Sequence, residues 1–457
     1  MLKSITSIIV FGFVILILLF SFKKTYKIHI KKYTIKIDYS ITPLIGILIL
    51  LFTFTINIDT IILGVIGTNT IKPYTILILF MSLAYISLSI DATGAFEYLA
   101  FKISKSAGNS GIKLFIYIYF LSSILTIFTS NDIVILTLTP IIIYFCNYTK
   151  INPIPYIIAQ FFAANIWSIA LYIGNPTNII VAQAYGLSFL GYLKWSIFPT
   201  ISAGLLTLLL LWIIFRKKIP KKIEFTLDAN HKALIRDKLG AIFGITILIL
   251  CLISLSLSTL FGIELWIITL FFSGLLLIYQ TSRKITNFRT NSININYFKV
   301  LKNRIPWKII PFTLGMFILV ESLVQSGWID LLGSNISNFT NNLFLSILLM
   351  GFLSALSCNI MNNQPMTIFF TQILLSESFI SSQAENFGNM FSLIIGSNLG
   401  ANLTLIGALA GIMWHKIAQD KKVMLSFKDF AKIGFKIIPS IILIANLILY
   451  LEIVLWF

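Results

Sequence analysis

Thr129-Ser130-Asn131-Asp132 stands in the middle of 112–148, an apolar region too long for one transmembrane helix and basic at both ends, at Lys113 and Lys150. A hydrocarbon core about 30 Å thick takes roughly 20 apolar residues per helix. Lys and Arg mark the cytoplasmic side of a membrane protein, so the region reads as a re-entrant hairpin with its tip at 129–132 and both arms opening to the cytoplasm. A second region, 343–372, is interrupted by Cys358-Asn359-Ile360-Met361-Asn362-Asn363-Gln364-Pro365. Its flanks, 326–342 and 373–387, hold no Lys or Arg but carry Asp330, Glu377 and Glu385. This second hairpin is therefore expected to open to the exterior.

Each hairpin is followed by a helix broken at a Gly/Asn-rich loop, Gly174-Asn175-Pro176-Thr177-Asn178 in the first half and Gly396-Ser397-Asn398-Leu399-Gly400-Ala401-Asn402-Leu403-Thr404 in the second. Asn131 and Asn359 lie 228 residues apart, and Asn175 and Asn402 lie 227 apart, in a chain of 457. Matched interruptions in opposite orientations are the signature of an inverted-topology repeat. The expected fold is all-α and polytopic, with two inverted repeats, each holding a re-entrant hairpin and a broken helix.

Composition agrees. The chain is 58% hydrophobic and 11% charged, with a mean hydropathy of +0.94, which places it in lipid and leaves few residues for a soluble domain. The net charge of +18 is gathered between apolar spans as the positive-inside rule distributes it, not along a soluble face as in a nucleic-acid binder. Cys146, Cys251 and Cys358 are far apart and form no CxxC pair, so neither a disulfide framework nor a thiolate metal site is indicated. Residues 1–22 lack a small-x-small cleavage site and read as an uncleaved first helix.

Outward from the hairpins, helices are expected near 4–22, 40–57, 73–90, 195–215, 239–258, 262–280, 309–325 and 436–455. The basic segments 23–36, 216–222, 283–308 and 416–436 should be cytoplasmic and the N-terminus outside, in a cell membrane. The expected divisions are 1–72, N-terminal helices; 73–238, the first repeat with its hairpin at 112–148 and broken helix at 154–190; 239–308, a helix pair and basic linker; and 309–457, the second repeat with its hairpin at 343–372 and broken helix at 388–416.

Backbone that leaves the helix at membrane depth must be satisfied by protein or by a water-filled cavity, and half-helix N-termini, freed carbonyls and amide side chains there make a site for a neutral polyol-like solute, an anion or Na⁺. The candidate binding residues are Ser130, Asn131, Asp132, Gly174, Asn175, Thr177, Asn178, Asn359, Asn362, Asn363, Ser397, Asn398, Asn402 and Thr404. A plain loop at 130–132, or a packing kink at 174–178, is the alternative reading. Asp132 is the only acid at the four breaks and the first candidate for coupling H⁺ or Na⁺. Asp91 and Glu321 are the others, although Asp91 could instead cap the stretch after it and Glu321 could pair with a neighbour. His231 and His415 fall in a loop or at a helix end. No P-loop, HExxH or GxSxG motif occurs, so no cofactor and no conventional enzyme are expected.

At these residues the chain resembles the arsenite-permease branch of the ion transporter superfamily. The stretches that carry the resemblance are 88–91 with 94–97, Asn131-Asp132 with Leu138-Thr139-Pro140, Pro306-Trp307 with Leu314-Gly315-Met316, 361–365, and 396–404 with Ile406-Gly407 and Trp414. The resemblance implies an elevator-type carrier whose four breaks meet around one site, proton-coupled efflux of arsenite or antimonite, and in some members a separate ATPase subunit. Other members of the superfamily carry dicarboxylates with Na⁺ or exchange Na⁺ for H⁺, and these are the alternatives. The expected partners are a small inorganic or organic solute, the lipid bilayer and a second copy of the chain as a homodimer, with no nucleic acid. A membrane subunit that anchors a partner without transporting anything is the reading from a different class.

Overall fold

The computed structural model describes residues 2–23, 26–30, 33–68, 70–223, 235–287, 297–337 and 342–456; His231 and parts of the basic segments lie outside them. The chain begins with α1 (Leu2–Lys23), a two-stranded antiparallel hairpin of β1 (Tyr26–Ile30) and β2 (Tyr33–Ile37), and the short helices α2 (Thr42–Phe52) and α3 (Ile58–Ile66). The helix expected over 40–57 is the shorter α2, and a further helix, α3, follows beyond it. Asn57 accepts a hydrogen bond from the Thr60 N–H and caps a new helix, a start signal the hydropathy pattern hides.

The first half then runs α4 (Pro73–Ala92), α5 (Ala95–Ser106), α6 (Gly111–Phe128), α7 (Asn131–Tyr148), α8 (Ile154–Trp167), two 3₁₀ turns over 168–174, α9 (Pro176–Ala184) and α10 (Phe189–Phe215). A connecting unit follows: α11 (Lys238–Ser256), α12 (Ser258–Phe261), α13 (Leu265–Asn287) and α14 (Tyr297–Asn303). The second half repeats the first element for element, as α15 (Ile309–Gln325), α16 (Trp328–Ser337), α17 (Leu343–Met361), α18 (Asn363–Leu375), α19 (Gln383–Gly400), α20 (Leu409–Asp420) and α21 (Phe427–Trp456). Nine of the described helices are long and apolar enough to cross a membrane.

The two halves interlock. Within each, the first hairpin arm packs on the first part of the broken helix, α6 on α8 and α17 on α19, and the long helix that follows packs there too, α10 on α8 and α21 on α19. The second hairpin arm crosses over: α7 packs on α20 and α18 on α9. Each second arm thereby ties its own half to a broken-helix segment of the other. Around this body α4 is clasped by α11 and α13, and α15 by α1, α2 and α3. The outward faces of α10, α11 and α13 expose Leu205, Leu209, Ile242, Ile249 and Phe271, as lipid-facing helices do.

The second-half breaks differ from their expected positions. α17 continues to Met361, so Cys358 and Asn359 are helical and the turn is made by Asn362 alone, at φ 72°. α19 continues to Gly400, and the unwound segment is 401–408. The glycines expected to break this helix serve close packing instead: a Cβ on Gly396 would strike Ser354 and the Gly351 carbonyl, and one on Gly400 would strike Cys358 and Ala355. Small residues on facing helices let backbones approach where no hydrophobic effect drives association. Asn131 accordingly pairs in register with Asn363, the first residue of the equivalent arm, rather than with Asn359.

Candidate functional site

The two broken helices meet in a buried cluster of amides and hydroxyls. Asn398, wholly buried, accepts hydrogen bonds at Oδ1 from Asn175 Nδ2 at 2.7 Å and Ser168 Oγ at 2.8 Å, and donates from Nδ2 to Asn178 Oδ1 at 2.8 Å. Ser397 Oγ donates to Thr177 Oγ1 at 3.2 Å. Asn178 Nδ2 in turn donates to the Ser168 and Leu171 carbonyls, freed where α8 ends. These are the carbonyl orphans that a broken helix must satisfy at depth.

The first hairpin tip joins this cluster through a chain of amides. Asn131 Nδ2 donates to Asn165 Oδ1 at 3.0 Å, and Asn165 Nδ2 donates to Asn402 Oδ1 at 2.9 Å. At the second tip, Asn363 N–H donates to the Gly407 carbonyl at 2.9 Å, Asn362 Nδ2 to the Ile406 carbonyl, and Asn359 Nδ2 to the Gly400 carbonyl at 3.0 Å, while Thr404 Oγ1 donates to Asn359 Oδ1 at 2.6 Å. Gly174 lies against the Ser168 carbonyl where no Cβ would fit. Asn165 and Ser168, which join the tip to the two breaks, are absent from the sequence-derived set. An amide and a hydroxyl inside the apolar stretch 154–170 were the available signal.

Asn402 Nδ2 is buried and has no hydrogen-bond partner among the described residues, a state that costs about 1–3 kcal/mol if nothing relieves it. Every side chain in the cluster is neutral. The one nearby acid, Asp132, follows Asn131 into the first turn of α7, makes no hydrogen bond among the described residues, and lines a cavity of about 400 Å³ bounded by Tyr39, Ala84, Leu136, Lys302, Arg304 and Lys308. Ser130 is buried beside it.

Two of that cavity's three cations are already paired. Arg304 bonds Asp91 and Lys308 bonds Asp38. Burial alone would raise Asp38, but the bonds from Lys308 and Ser40 outweigh it and hold the carboxyl below the usual range. Asp91 also borders a second cavity of about 520 Å³ with Glu97, Thr137 and Lys421. Asp91 thus stands in an ion pair at the end of α4 and not at the breaks. Glu321 is likewise apart: it accepts from Gln325 on its own helix at 3.0 Å, and Gln325 accepts from Thr60 at 2.7 Å.

Paired hairpins and broken helices of inverted topology, closed on a buried polar cluster, define a membrane transporter. The chain belongs to the citrate transporter (CitMHS) family, whose model matches residues 17–385. It is 29% identical over 359 residues to the arsenical pump membrane protein of Escherichia coli (strain K12), covering 78% of this chain and 81% of that one. It is 24% identical to the 46 kDa membrane protein of Mycobacterium leprae (strain TN), over 83% of this chain and 86% of that one. Among solved structures, the YdaH transporter of Alcanivorax borkumensis superposes with a TM-score of 0.60 at 16% identity, over 99% of both chains. MtrF of Neisseria gonorrhoeae does so with a TM-score of 0.55 at 11% identity, over 98% of this chain and 94% of that one. This chain is a membrane transporter of the citrate transporter and arsenical pump type.

Proposed function

We propose that the protein is a proton-coupled efflux carrier for arsenite, antimonite or a related small polyhydroxylated solute, bound where the hairpin tips meet the two breaks. The observation that carries this reading is the neutrality of the cluster. An anion buried there would need a compensating cation, and two of the three cations lining the Asp132 cavity are held by Asp91 and Asp38, whereas a neutral trihydroxy solute needs only the oxygens and N–H groups that Asn131, Asn165, Asn398 and Asn402 supply. The unsatisfied Asn402 Nδ2 is a donor for one of its oxygens. Asp132, facing the cavity, carries the coupling proton.

In this reading residues 73–238 and 309–457 are the two repeats, 239–308 the connector and 1–72 an N-terminal unit. The segments 23–36, 216–222, 283–308 and 416–436 are cytoplasmic, which puts the Asp132 cavity on the cytoplasmic side and the N-terminus outside. Two copies form a homodimer in the cell membrane, and a separate ATPase is a further partner of this type of carrier.

The test is transport by purified protein in vesicles under an imposed pH gradient. Arsenite should move faster than in protein-free vesicles, and Asp132→Asn should abolish its dependence on the gradient. Equal rates with and without protein would end the reading. A second reading, Na⁺-coupled uptake of a carboxylate such as citrate, draws on the family and on the N-termini of α7 and α18 at the tips, whose dipoles favour anions. Sodium-dependent citrate uptake would select it.

A further inference from the structure

A cavity of about 400 Å³ opens at the far end of α4 from the Asp132 cavity, lined by Thr75, Tyr172, Gln183, Ser188, Thr259 and Glu264 among others. Thr75 lines this one and Phe80, Ala84 and Leu88 the other, so about 8 Å of helix separates their near edges along one axis. Tyr172 belongs to the unwound segment itself, three residues before Asn175, and is 1% exposed. Its ring is held edge-on to Tyr192 at 5.7 Å, and its hydroxyl has no hydrogen-bond partner among the described residues. A buried tyrosine ordinarily gives its O–H a partner.

The rest of the lining is built from hydroxyls and amides. Thr75 Oγ1 donates to Gln183 Oε1 at 3.1 Å, joining the start of α4 to the end of α9. Lys72 and Glu264 pair across the rim at 3.6 Å, both about half exposed, and Trp266 Nε1 donates to Glu264 at 2.5 Å. The two charges cancel, and what faces the interior is neutral, as it is in the central cluster.

We infer that this cavity is a second binding station for the transported solute, a vestibule at the end opposite the basic segments that takes small, uncharged, polyhydroxylated molecules through the Tyr172 hydroxyl, Thr75 and Gln183. The class of solute rests on the reading proposed above. A solute leaving the central cluster on that side passes Gly174 and Ile173 to Tyr172, which exchanges a hydrogen bond with it before the rim.

The test is protection of an introduced thiol in purified, detergent-solubilised protein. The native cysteines are buried, so Thr259→Cys gives a single reactive thiol at the cavity and Asn335→Cys, exposed on α16, gives a control for direct thiol binding by the probe. Arsenite should slow maleimide labelling several-fold at the first position and not at the second, and adding Tyr172→Phe should raise the protecting concentration several-fold. Absence of protection, equal protection at both positions, protection by citrate only, or protection unchanged by Tyr172→Phe would overturn the inference. Arsenite transport without protection removes the vestibule alone, and protection without transport removes the proposed function alone.

Discussion

Asn398 gathers more of the site than any other side chain described, because three polar groups from the first half bond to it: Asn175 and Ser168 donate to it and Asn178 accepts from it. Asn398→Ala leaves Asn175 Nδ2 and Asn178 Oδ1 buried without partners, at about 1–3 kcal/mol for each orphaned group, while Ser168 keeps its bond to the Asn165 carbonyl. The melting temperature in detergent should fall well below that of wild type, while Asn335→Ala, exposed on α16, should leave it unchanged. A different residue-scale test falls outside the spans. Asp237 caps α11 by accepting from the Gly240 N–H and pairs with Arg283 at 2.7 Å and Tyr297 at 2.8 Å. Burial alone would raise its carboxyl, and these bonds outweigh it and hold it below the ordinary 3.8. A carboxyl lowered by folding stabilises the fold above its unfolded value, and that stability is lost as the pH falls through the lower folded value. Asp237→Asn should therefore melt below wild type at pH 7, and the gap should close only below about pH 4. A gap that stays constant down to pH 3 would mean that the ion pair contributes nothing.

At the scale of elements, the hairpins and the repeat were legible because charge and length are read from composition alone: 112–148 is too long for one span and basic at both ends. The ends of the breaks were not. Gly396 and Gly400 carry the same backbone freedom whether they unwind a helix or let α19 sit against α17, and only the partner helix decides between these. Asn165 was hidden for a related reason, since one amide in an apolar run announces itself only when Asn131 and Asn402 are seen on either side of it. Asn362 shows what local sequence cannot give. It turns the second hairpin in a single residue at φ 72° and ψ 154°, a region nearly confined to glycine that costs a side chain about 1–3 kcal/mol. If the side chain matters only to the turn, Asn362→Gly should be as stable as wild type or more so. Loss of the Asn362 bond to the Ile406 carbonyl should still weaken solute binding, read as a smaller arsenite-dependent rise in melting temperature. Asn362→Ala should lose both stability and binding.

For the whole molecule, the crossing of α7 onto α20 and of α18 onto α9 packs each half's hairpin on the other half's broken helix, and under the proposed function a proton on Asp132 and a solute on the amides would travel together. This has an electrical consequence. If a neutral solute leaves while one proton enters, each cycle moves one net charge across the membrane, and a potential of 100 mV then contributes about 2.3 kcal/mol per charge, roughly a fiftyfold change in the accumulation ratio at equilibrium. Vesicles holding the protein, with a potassium diffusion potential set by an ionophore and no pH gradient, should expel arsenite against its gradient when the potential draws protons in. They should not do so when the potential is reversed. Asp132→Asn should carry arsenite downhill at a rate independent of the potential, because the amide brings no proton and the solute brings no charge. Indifference of the wild type to the potential would mean that the coupling ion is balanced by a charge on the solute itself. An anion balances that ion only when both move in the same direction, so the carrier would then be an anion symporter, and the neutrality of the amide cluster would have to be compensated by Lys302 or by the half-helix N-termini at the two tips.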